Sequence, residues 1–278
     1  MHDSVQSGPI LIVPMSSDHE VLTELLSRAG FVAAEDEADE LLASAEGDLK
    51  RLGPLLERRL SGEPLAWITG RVLFCGMEIR VESGVYVPRW QSEPLARRAV
   101  ERLSTTGIAI DLCTGSGAIA KILATNRRHA RVVACDIDER AVACATANGV
   151  EVYSGDLFDP LPRSLEARVD VVVGVVPYVP TSALALLAHD TFAFESPLAY
   201  HGGHDGTEVL RRVVSESPRF LRRGGAILLE LGGEQANALV DDLADCGFND
   251  VSVLSDQDGD VRGIEATLAR DRESSSLP

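Results

Sequence analysis

Hydrophobic residues in the first part of the chain recur every three to four positions, which is the spacing of one face of an α-helix. Three segments between residues 19 and 62 show this spacing and end in or near a glycine: HEVLTELLSRAG, EDEADELLASAEG and DLKRLGPLLERRLSG. Glycine often follows the last turn of a helix because it adopts a left-handed backbone conformation without strain. The pattern predicts a small, acidic, helical N-terminal domain over residues 1–62.

The pattern changes over residues 63–88, where β-branched and aromatic residues become frequent. The segment AWITGRVLFCGMEIRVESGVYVP contains two short apolar runs separated at Gly76. Two such runs on either side of a glycine are typical of a β-hairpin. We therefore expect a hairpin that links the helical domain to the rest of the chain.

From residue 89 to residue 270, short apolar segments alternate with amphipathic ones. The predicted strands include IAIDL, RVVACD, VDVVVG and GAILLEL, and the predicted helices include SEPLARRAVERL, GAIAKILATN, ERAVACATAN and GTEVLRRVVSESPRFL. This alternation predicts an α/β fold, with a parallel, doubly wound sheet of the Rossmann-like type. A last helix and two strands are expected to form an antiparallel edge hairpin, and residues 271–278 a disordered tail.

Composition and charge argue against several classes of function. No apolar run approaches the ~20 residues that a membrane-spanning helix needs. The N-terminus has no basic segment before its apolar patch, so we expect a soluble, cytoplasmic protein without a signal peptide and without membrane association. The formal net charge of −17 opposes contact with phosphate backbones, so no nucleic-acid partner is expected, whereas a homodimer stays open.

The sequence does not indicate a metal site. The five cysteines are odd in number and show no C-x-x-C spacing, which favours reduced thiols in the core. His201 and His204 lie in the glycine-rich loop HGGHDGTE, but this loop offers no third ligand.

The segment Asp111–Gly117, with the sequence DLCTGSG, follows an apolar strand and opens a helix. Gly115 and Gly117 allow a tight turn and the close approach of a ligand to the backbone. The N-terminus of the following helix adds free N–H groups, and Thr114 and Ser116 complete the loop. The segment therefore predicts a cofactor-binding turn.

The next two predicted strands also end in acidic residues. Asp136, followed by Ile137, comes about twenty residues after the glycines, where a carboxylate can accept both hydroxyl hydrogens of a ribose. Asp156, followed by Leu157, ends the third strand and is expected near an adenine. The carboxyl ends of parallel strands meet at one edge of a sheet, so these residues predict one nucleotide-type crevice.

Two cofactors fit such a crevice. Gly115, Gly117 and Ala120 can be written as the G-x-G-x-x-A pattern of NAD-binding proteins. A carboxylate at Asp111 suits the positively charged S-adenosylmethionine (SAM) better than a pyrophosphate, which it would repel. SAM is therefore the favoured cofactor. The remaining interpretation is that the glycines only turn the chain and the acids only cap helices.

Several motifs stand in a specific order along nearly the whole chain: GEPLAWITGRVLFCGMEIRV, VYVPRWQSE, DLCTGSGAIA, GDLFDPLP, VPYVP and ILLELGGEQ. In this order the sequence resembles the HemK-type protein-(glutamine-N5) methyltransferases, which modify peptide-chain release factors. The resemblance implies a helical domain joined by a hairpin to a Rossmann-like class I methyltransferase domain that binds SAM. It also implies that Arg89 anchors the hairpin to the core or contacts the cofactor.

The acceptor-site signature of that family is Asn-Pro-Pro-Tyr, and the matching residues here are Val175, Val176, Pro177 and Tyr178. The resemblance implies that the Asn side chain and a backbone carbonyl hold the glutamine amide, and Val175 has no polar side chain for this. Val176 and Pro177 still offer backbone carbonyls, and Tyr178 offers an aromatic wall. These groups favour a donor-rich, cationic acceptor such as a guanidinium.

A guanidinium acceptor needs a carboxylate that pairs with it and receives its proton. Glu195 is the first candidate for this catalytic role, and Glu93 and Asp205 come next, although each acid could instead cap a helix or be a solvated loop charge. The leading hypothesis is a SAM-dependent N-methyltransferase redirected to L-arginine or a similar small molecule of specialised metabolism. The alternatives are a release-factor glutamine methyltransferase, with a peptide as acceptor, and a SAM-binding protein without transfer activity.

Overall fold

The computed structural model describes residues 15–186, 194–256 and 258–270. The chain divides into two compact units, Met1–Thr69 and Gly70–Pro278. Two expectations lie outside the described residues: the disordered tail over residues 271–278 and the N-terminus without a signal peptide.

The first unit contains four helices in its described part: α1 (Met15–Arg28), α2 (Ala34–Ala45), α3 (Leu49–Leu60) and α4 (Leu65–Thr69). Periodicity predicted the first three, and their apolar faces bury Leu26 and Leu41 completely. Arg59 of α3 donates two hydrogen bonds to Glu37 of α2, at 2.6 and 2.9 Å. The same guanidinium lies 3.8 Å from the centre of the Phe31 ring. Apolar burial and this buried ion pair therefore hold α2 and α3 together.

The second unit begins with the predicted hairpin. Its strands are β1 (Arg71–Phe74) and β2 (Met77–Arg80), which pair antiparallel and are joined by the turn Cys75–Gly76. The segment assigned to the hairpin from the sequence is longer than these strands, because residues 65–69 form α4. The Pro64 carbonyl accepts hydrogen bonds from the N–H groups of Trp67 and Ile68, which closes a helical turn there.

A seven-stranded sheet forms the centre of the second unit, with the strand order β5-β4-β3-β6-β7-β9-β8. The strands are β3 (Ile108–Leu112), β4 (Arg131–Asp136), β5 (Glu151–Ser154), β6 (Val169–Gly174), β7 (Leu221–Glu230), β8 (Phe248–Ser255) and β9 (Val261–Leu268). The described helices are α5 (Glu93–Arg102), α6 (Ala118–Asn126), α7 (Glu139–Ala147), α8 (Glu208–Glu216) and α9 (Gln235–Asp245). The first five strands in this order are mutually parallel, and β9 is antiparallel to β7 and β8. The predicted α/β, Rossmann-like fold with an antiparallel edge hairpin is confirmed.

Both faces of the sheet are buried at its central strands. Every residue of β6 is buried, as expected for a central strand of a parallel sheet covered by helices on both sides. Ile110 and Leu112 of β3 pack into one apolar layer, and Ala109, which precedes them, packs into the other. None of the described helices is long and apolar enough to cross a membrane.

The strand register determines which residues meet at the carboxyl edge of the sheet. Leu112 of β3 pairs with Gly174 of β6, and Gly174 pairs with Leu229 of β7. The residues that follow, Cys113 and Val175, therefore leave the sheet side by side. β3 lies between β4 on one side and β6 on the other, so the order of the strands reverses at β3. Ligands of doubly wound sheets bind at such a reversal.

Candidate active site

Two adjoining cavities open at this reversal point. The outer cavity is lined by Gly115, Asp136, Ile137 and the acceptor segment Val175–Tyr178, together with other residues. The inner cavity is lined by Asp111, Thr114 and Ser116 and by Ser92, among others. Tyr86, Cys113 and Val175 line both cavities and separate them.

Asp111 is the buried carboxylate at the end of β3. Its Oδ2 accepts hydrogen bonds from the Thr114 hydroxyl at 2.6 Å and from the Ala120 N–H at 3.1 Å. Its Oδ1 is buried without a hydrogen-bond partner in the described chain, and so is Ser116 Oγ. Burial raises the pKa of Asp111 to about 7. A positive charge beside Oδ1 would compensate for this burial.

Gly117 explains the sharp turn into α6. Its φ is +80°, a conformation that other residues rarely adopt. A Cβ atom at this position would lie 2.9 Å from Val150 Cγ2 and 3.0 Å from Ala145 Cβ. The second glycine of the motif therefore allows both the turn and the close packing of α6 against its neighbours.

Asp136 connects the end of β4 to the motif loop. Its Oδ2 accepts the Gly115 N–H at 2.8 Å, and its Oδ1 accepts the Asp138 N–H at 3.0 Å. Burial raises the pKa of this carboxyl group. Ile137 beside it is 58% exposed, which leaves an apolar surface for a ligand at the rim of the cavity. The structure thus brings Asp136 and Ile137 together with the glycine motif, as the sequence predicted.

Asp156 and Leu157 do not line either cavity. The Asp156 carboxylate accepts a hydrogen bond from Arg212 at 2.9 Å, and Leu157 is buried in the apolar layer under the sheet. Arg212 lies 56 residues further along the chain, so the strand pattern could not reveal this pairing. The carboxylate predicted near the adenine is an ion-pair partner in the structure.

The acceptor segment Val175–Tyr178 lies in the outer cavity, beside the cofactor motif. Val176 is buried, and its side chain belongs to the apolar layer that contains Leu112 and Leu229. The Tyr178 hydroxyl donates to Glu230 Oε1 at 3.0 Å, and the Tyr178 carbonyl accepts from Gln235 Nε2 at 2.7 Å. Tyr178 is therefore fixed at both its side chain and its backbone.

The glycine-rich loop HGGHDGTE packs against this segment. A Cβ at Gly206 would lie 2.2 Å from the Tyr178 carbonyl oxygen, so only glycine allows this approach. No group of three His, Cys, Asp or Glu residues that could hold a metal ion occurs in the described ranges. The loop therefore supports the acceptor segment through close backbone packing.

The three acids predicted to pair with a guanidinium are engaged elsewhere. Glu195 is fully buried and accepts hydrogen bonds from the Val87 N–H at 2.9 Å, from Arg89 at 2.8 Å and from the Tyr200 hydroxyl. Glu93 accepts from the Cys75 N–H at 2.8 Å and from Arg97 at 2.6 Å. Asp205 accepts from the backbone and hydroxyl of Thr207, which lowers its pKa. None of the three lines a cavity described here.

Sequence reasoning missed several residues of the site, among them Tyr86, Ser92, Cys113, Tyr200 and Glu230. Cys113 could have been identified from its place inside DLCTGSG, between Asp111 and Thr114, which were both predicted to bind the cofactor. Tyr86 and Tyr200 lie more than one hundred residues apart, and their rings meet edge to face with centres 5.6 Å apart. No local pattern marks such a pair.

Comparison with known proteins identifies the family. The Methyltransferase small domain family matches residues 91–183. The release factor glutamine methyltransferase of Geobacter sulfurreducens is 34% identical over 211 residues, covering 74% of this chain and 73% of that protein. The chain belongs to the HemK-type methyltransferase family. It is accordingly a SAM-dependent methyltransferase, and the alternative of a SAM-binding protein without transfer activity loses its support.

Two further comparisons define the breadth of this family and the fold. The 4-amino-L-phenylalanine/4-methylamino-L-phenylalanine methyltransferase of Streptomyces pristinaespiralis is 33% identical over 243 residues, covering 77% of this chain and 81% of that protein. The solved hMettl16 catalytic domain has a TM-score of 0.54 at 13% identity, with 78% of this chain and 83% of that chain covered. The second likeness supports the class I methyltransferase fold.

The residues of this HemK-type site fit SAM. Asp111 offers an unpaired buried oxygen of a carboxylate, which a positively charged cofactor would satisfy. Gly115 and Asp136 would hold the ribose side, with Ile137 under the base. The cofactor supplies an electrophilic methyl group on a positively charged sulfur, so the chain itself has to bind, orient and desolvate the acceptor nitrogen.

Proposed function

We propose that this enzyme methylates the side-chain amide nitrogen of a glutamine in a protein of the release-factor class. The position of Val175–Tyr178 carries the proposal: the segment lines the same cavity as Gly115 and Asp136, the residues proposed to hold the cofactor. An acceptor bound against this segment would therefore lie beside the transferable methyl group. The names of similar proteins, including that of Geobacter sulfurreducens, support glutamine as the acceptor.

The valine at position 175 changes how the acceptor amide is held, but it does not prevent methyl transfer to that amide. Among the described residues, no hydrogen bond is made to the carbonyl oxygens of Val176 and Pro177. One of these oxygens can accept an N–H group of a primary amide, and the rings of Tyr86 and Tyr178 can cover its apolar stem. The hydrogen bond that an Asn side chain would give is lost, which we expect to slow the reaction.

The guanidinium acceptor favoured by the sequence has less support. That hypothesis needs a carboxylate free to pair with the acceptor and receive its proton, and Glu195 already accepts hydrogen bonds from Arg89, Val87 and Tyr200. A neutral amide or amine needs no such ion-pair partner. Because the three acids proposed from the sequence do not line the cavities, and because similar proteins are named for glutamine, we place glutamine before L-arginine.

The proposal is tested by mass spectrometry of reactions that contain the full chain, SAM and a release factor of the same organism. We expect a mass gain of one methyl group on the peptide that carries the loop glutamine. The matched control is the same release factor with that glutamine replaced by alanine, which should stay unmodified. Unmodified glutamine, in a reaction in which the enzyme binds SAM, would contradict the proposal.

A small arylamine is the second candidate acceptor. The tyrosines Tyr86, Tyr178 and Tyr200 and the apolar Val175 all line the outer cavity, which suits an aromatic ring. An arylamine nitrogen keeps more of its lone pair than an amide nitrogen, so it depends less on a polar side chain at position 175. The relative from Streptomyces pristinaespiralis is named for such a substrate. 4-Amino-L-phenylalanine in the same assay decides between the two acceptors.

A further inference from the structure

A buried carboxylate to which the proposed function gives no role lies beside the acceptor segment. Glu230 is the last residue of β7, and its neighbour Leu229 pairs with Gly174 of β6. Glu230 and Val175 are therefore the next residues on two adjacent strands, whose backbones lie about 4.8 Å apart. The side chain of Glu230 is only 5% exposed.

The two oxygens of Glu230 differ in their partners. Oε1 accepts the Tyr178 hydroxyl at 3.0 Å, whereas Oε2 is buried and makes no hydrogen bond within the described chain. Ser92 Oγ is also buried without a hydrogen-bond partner in the described chain, and burial raises the pKa of Glu230. A buried carboxylate oxygen and a buried hydroxyl without hydrogen-bond partners lower the stability of the fold. Unfavourable groups of this kind occur mainly at functional sites.

Tyr178 and Ser92 line different cavities. Tyr178 lines the outer cavity, Ser92 lines the inner cavity and Val175 lines both. A hydroxyl has one proton, so once it donates to a carboxylate its oxygen can only accept a hydrogen bond from a ligand. Hydrogen-bonded chains of this kind also polarise the outer oxygen and make it a stronger acceptor.

We propose that Glu230 is a positioning residue that orients the Tyr178 hydroxyl, so that its oxygen accepts an N–H group of the acceptor nitrogen. This inference rests on the proposed function and specifies its acceptor class: a nitrogen that carries hydrogen, as in a primary amide or a primary arylamine. The hydroxyl takes over part of the role of the carboxamide that Val175 lacks.

The charge of Glu230 also acts on the transfer step. As the N–C bond forms and the S–C bond breaks, the sulfur keeps the electron pair of the broken bond and the nitrogen becomes positively charged. The carboxylate stabilises this charge through the Tyr178 hydroxyl, and the methylated nitrogen then becomes neutral by releasing one N–H proton to the solvent. Because the charge develops only in the transition state, Glu230 contributes to kcat more than to KM.

The test is Glu230→Gln, which keeps an oxygen for Tyr178 but removes the charge. With saturating SAM and the release-factor glutamine as acceptor, we expect kcat to fall about tenfold to a hundredfold while KM changes little. The wild-type kcat should decrease at acid pH, and the variant should lose this decrease. The groups that face Glu230 are Tyr86, Tyr178, Ser92 and Arg262. Tyr178→Phe combined with Glu230→Gln should be no slower than the slower single variant.

Glu265→Gln is the matched control. Glu265 is a second buried carboxylate of the same sheet, on β9, and it pairs with Arg98 at 2.5 Å and Arg102 at 3.3 Å. Its replacement should lower the melting temperature and leave kcat unchanged. Equal kcat for Glu230→Gln and wild type, or a pH profile that the variant preserves, would overturn the inference.

Thermal unfolding separates this inference from the proposed function. If the wild-type enzyme methylates neither the release factor nor 4-amino-L-phenylalanine, the proposed function fails, and the stability of Glu230→Gln still decides the inference. A carboxylate kept for its charge is unfavourable in the ligand-free protein, so Glu230→Gln should raise the melting temperature at about pH 8. A lower melting temperature would show that Glu230 only supports the fold.

Discussion

Arg89 donates a hydrogen bond to Glu195 at 2.8 Å, across 106 residues of sequence. Glu195 also accepts the Val87 N–H and the Tyr200 hydroxyl, so its carboxylate is fully enclosed by donors of the protein. The pair joins the segment that follows the hairpin to the segment that contributes Tyr200 to the outer cavity. The structure thus gives Glu195 a role in shaping the acceptor side of the cavity.

We predict that Glu195→Gln lowers the free energy of unfolding by about 1–3 kcal/mol, because the buried side chain at position 195 would no longer be a charged acceptor for Arg89, Val87 and Tyr200. Chemical denaturation measures this change. The pH dependence of kcat should stay as in the wild type. A stable Glu195→Gln variant whose kcat no longer depends on pH would instead assign Glu195 the proton-accepting role considered from the sequence.

The affinity for SAM should depend on pH through Asp111. Burial raises the pKa of Asp111 to about 7 in the ligand-free protein, and the positively charged cofactor favours the ionised form. Binding below this pH requires loss of a proton, so the dissociation constant should rise up to about tenfold for each pH unit below about 7 and level off above it. Isothermal titration calorimetry across this range measures the effect.

Asp111→Asn provides the comparison for that experiment. It should bind SAM more weakly than the wild type at about pH 8, and its affinity should be nearly constant with pH. The stability of the ligand-free protein should depend on the ionisation of Asp111 in the opposite direction to the affinity for SAM. Its raised pKa means that ligand-free stability from this group is present below the unfolded value of about 4 and is lost as pH rises to about 7. A flat SAM affinity in the wild type would contradict this account.

Asp136 and Asp156 should respond differently to the same substitution. Asp136→Asn removes a charged acceptor beside the Gly115 N–H, and we expect SAM to bind about tenfold to a hundredfold more weakly. Asp156→Asn breaks the ion pair with Arg212 outside the cavities and should leave SAM affinity within about twofold. Calorimetric titration measures both affinities. If both variants lost the same amount of SAM affinity, Asp156 would be a residue of the cofactor site.

Much of the fold could be predicted because its signals are local. The alternation of apolar strands and amphipathic helices indicated the parallel sheet, and Gly115 and Gly117 marked the cofactor turn before any contact was known. The roles of the acids could not be predicted in this way. The role of Glu195 depends on its hydrogen bond from Arg89, 106 residues away in the sequence. The role of Glu230 depends on the register that places β7 beside β6. Such pairings depend on strand order and loop packing, which the sequence pattern does not contain.

The acceptor role of the Val175–Tyr178 segment is tested most directly by Val175→Asn. The measurement is kcat/KM for the release-factor glutamine, compared between this variant and the wild type. The added carboxamide restores one hydrogen bond to the amide, so we predict a gain of about tenfold, together with a loss for 4-amino-L-phenylalanine. An unchanged or lower kcat/KM for glutamine would contradict the account, because it would show that the acceptor amide is not held at this segment.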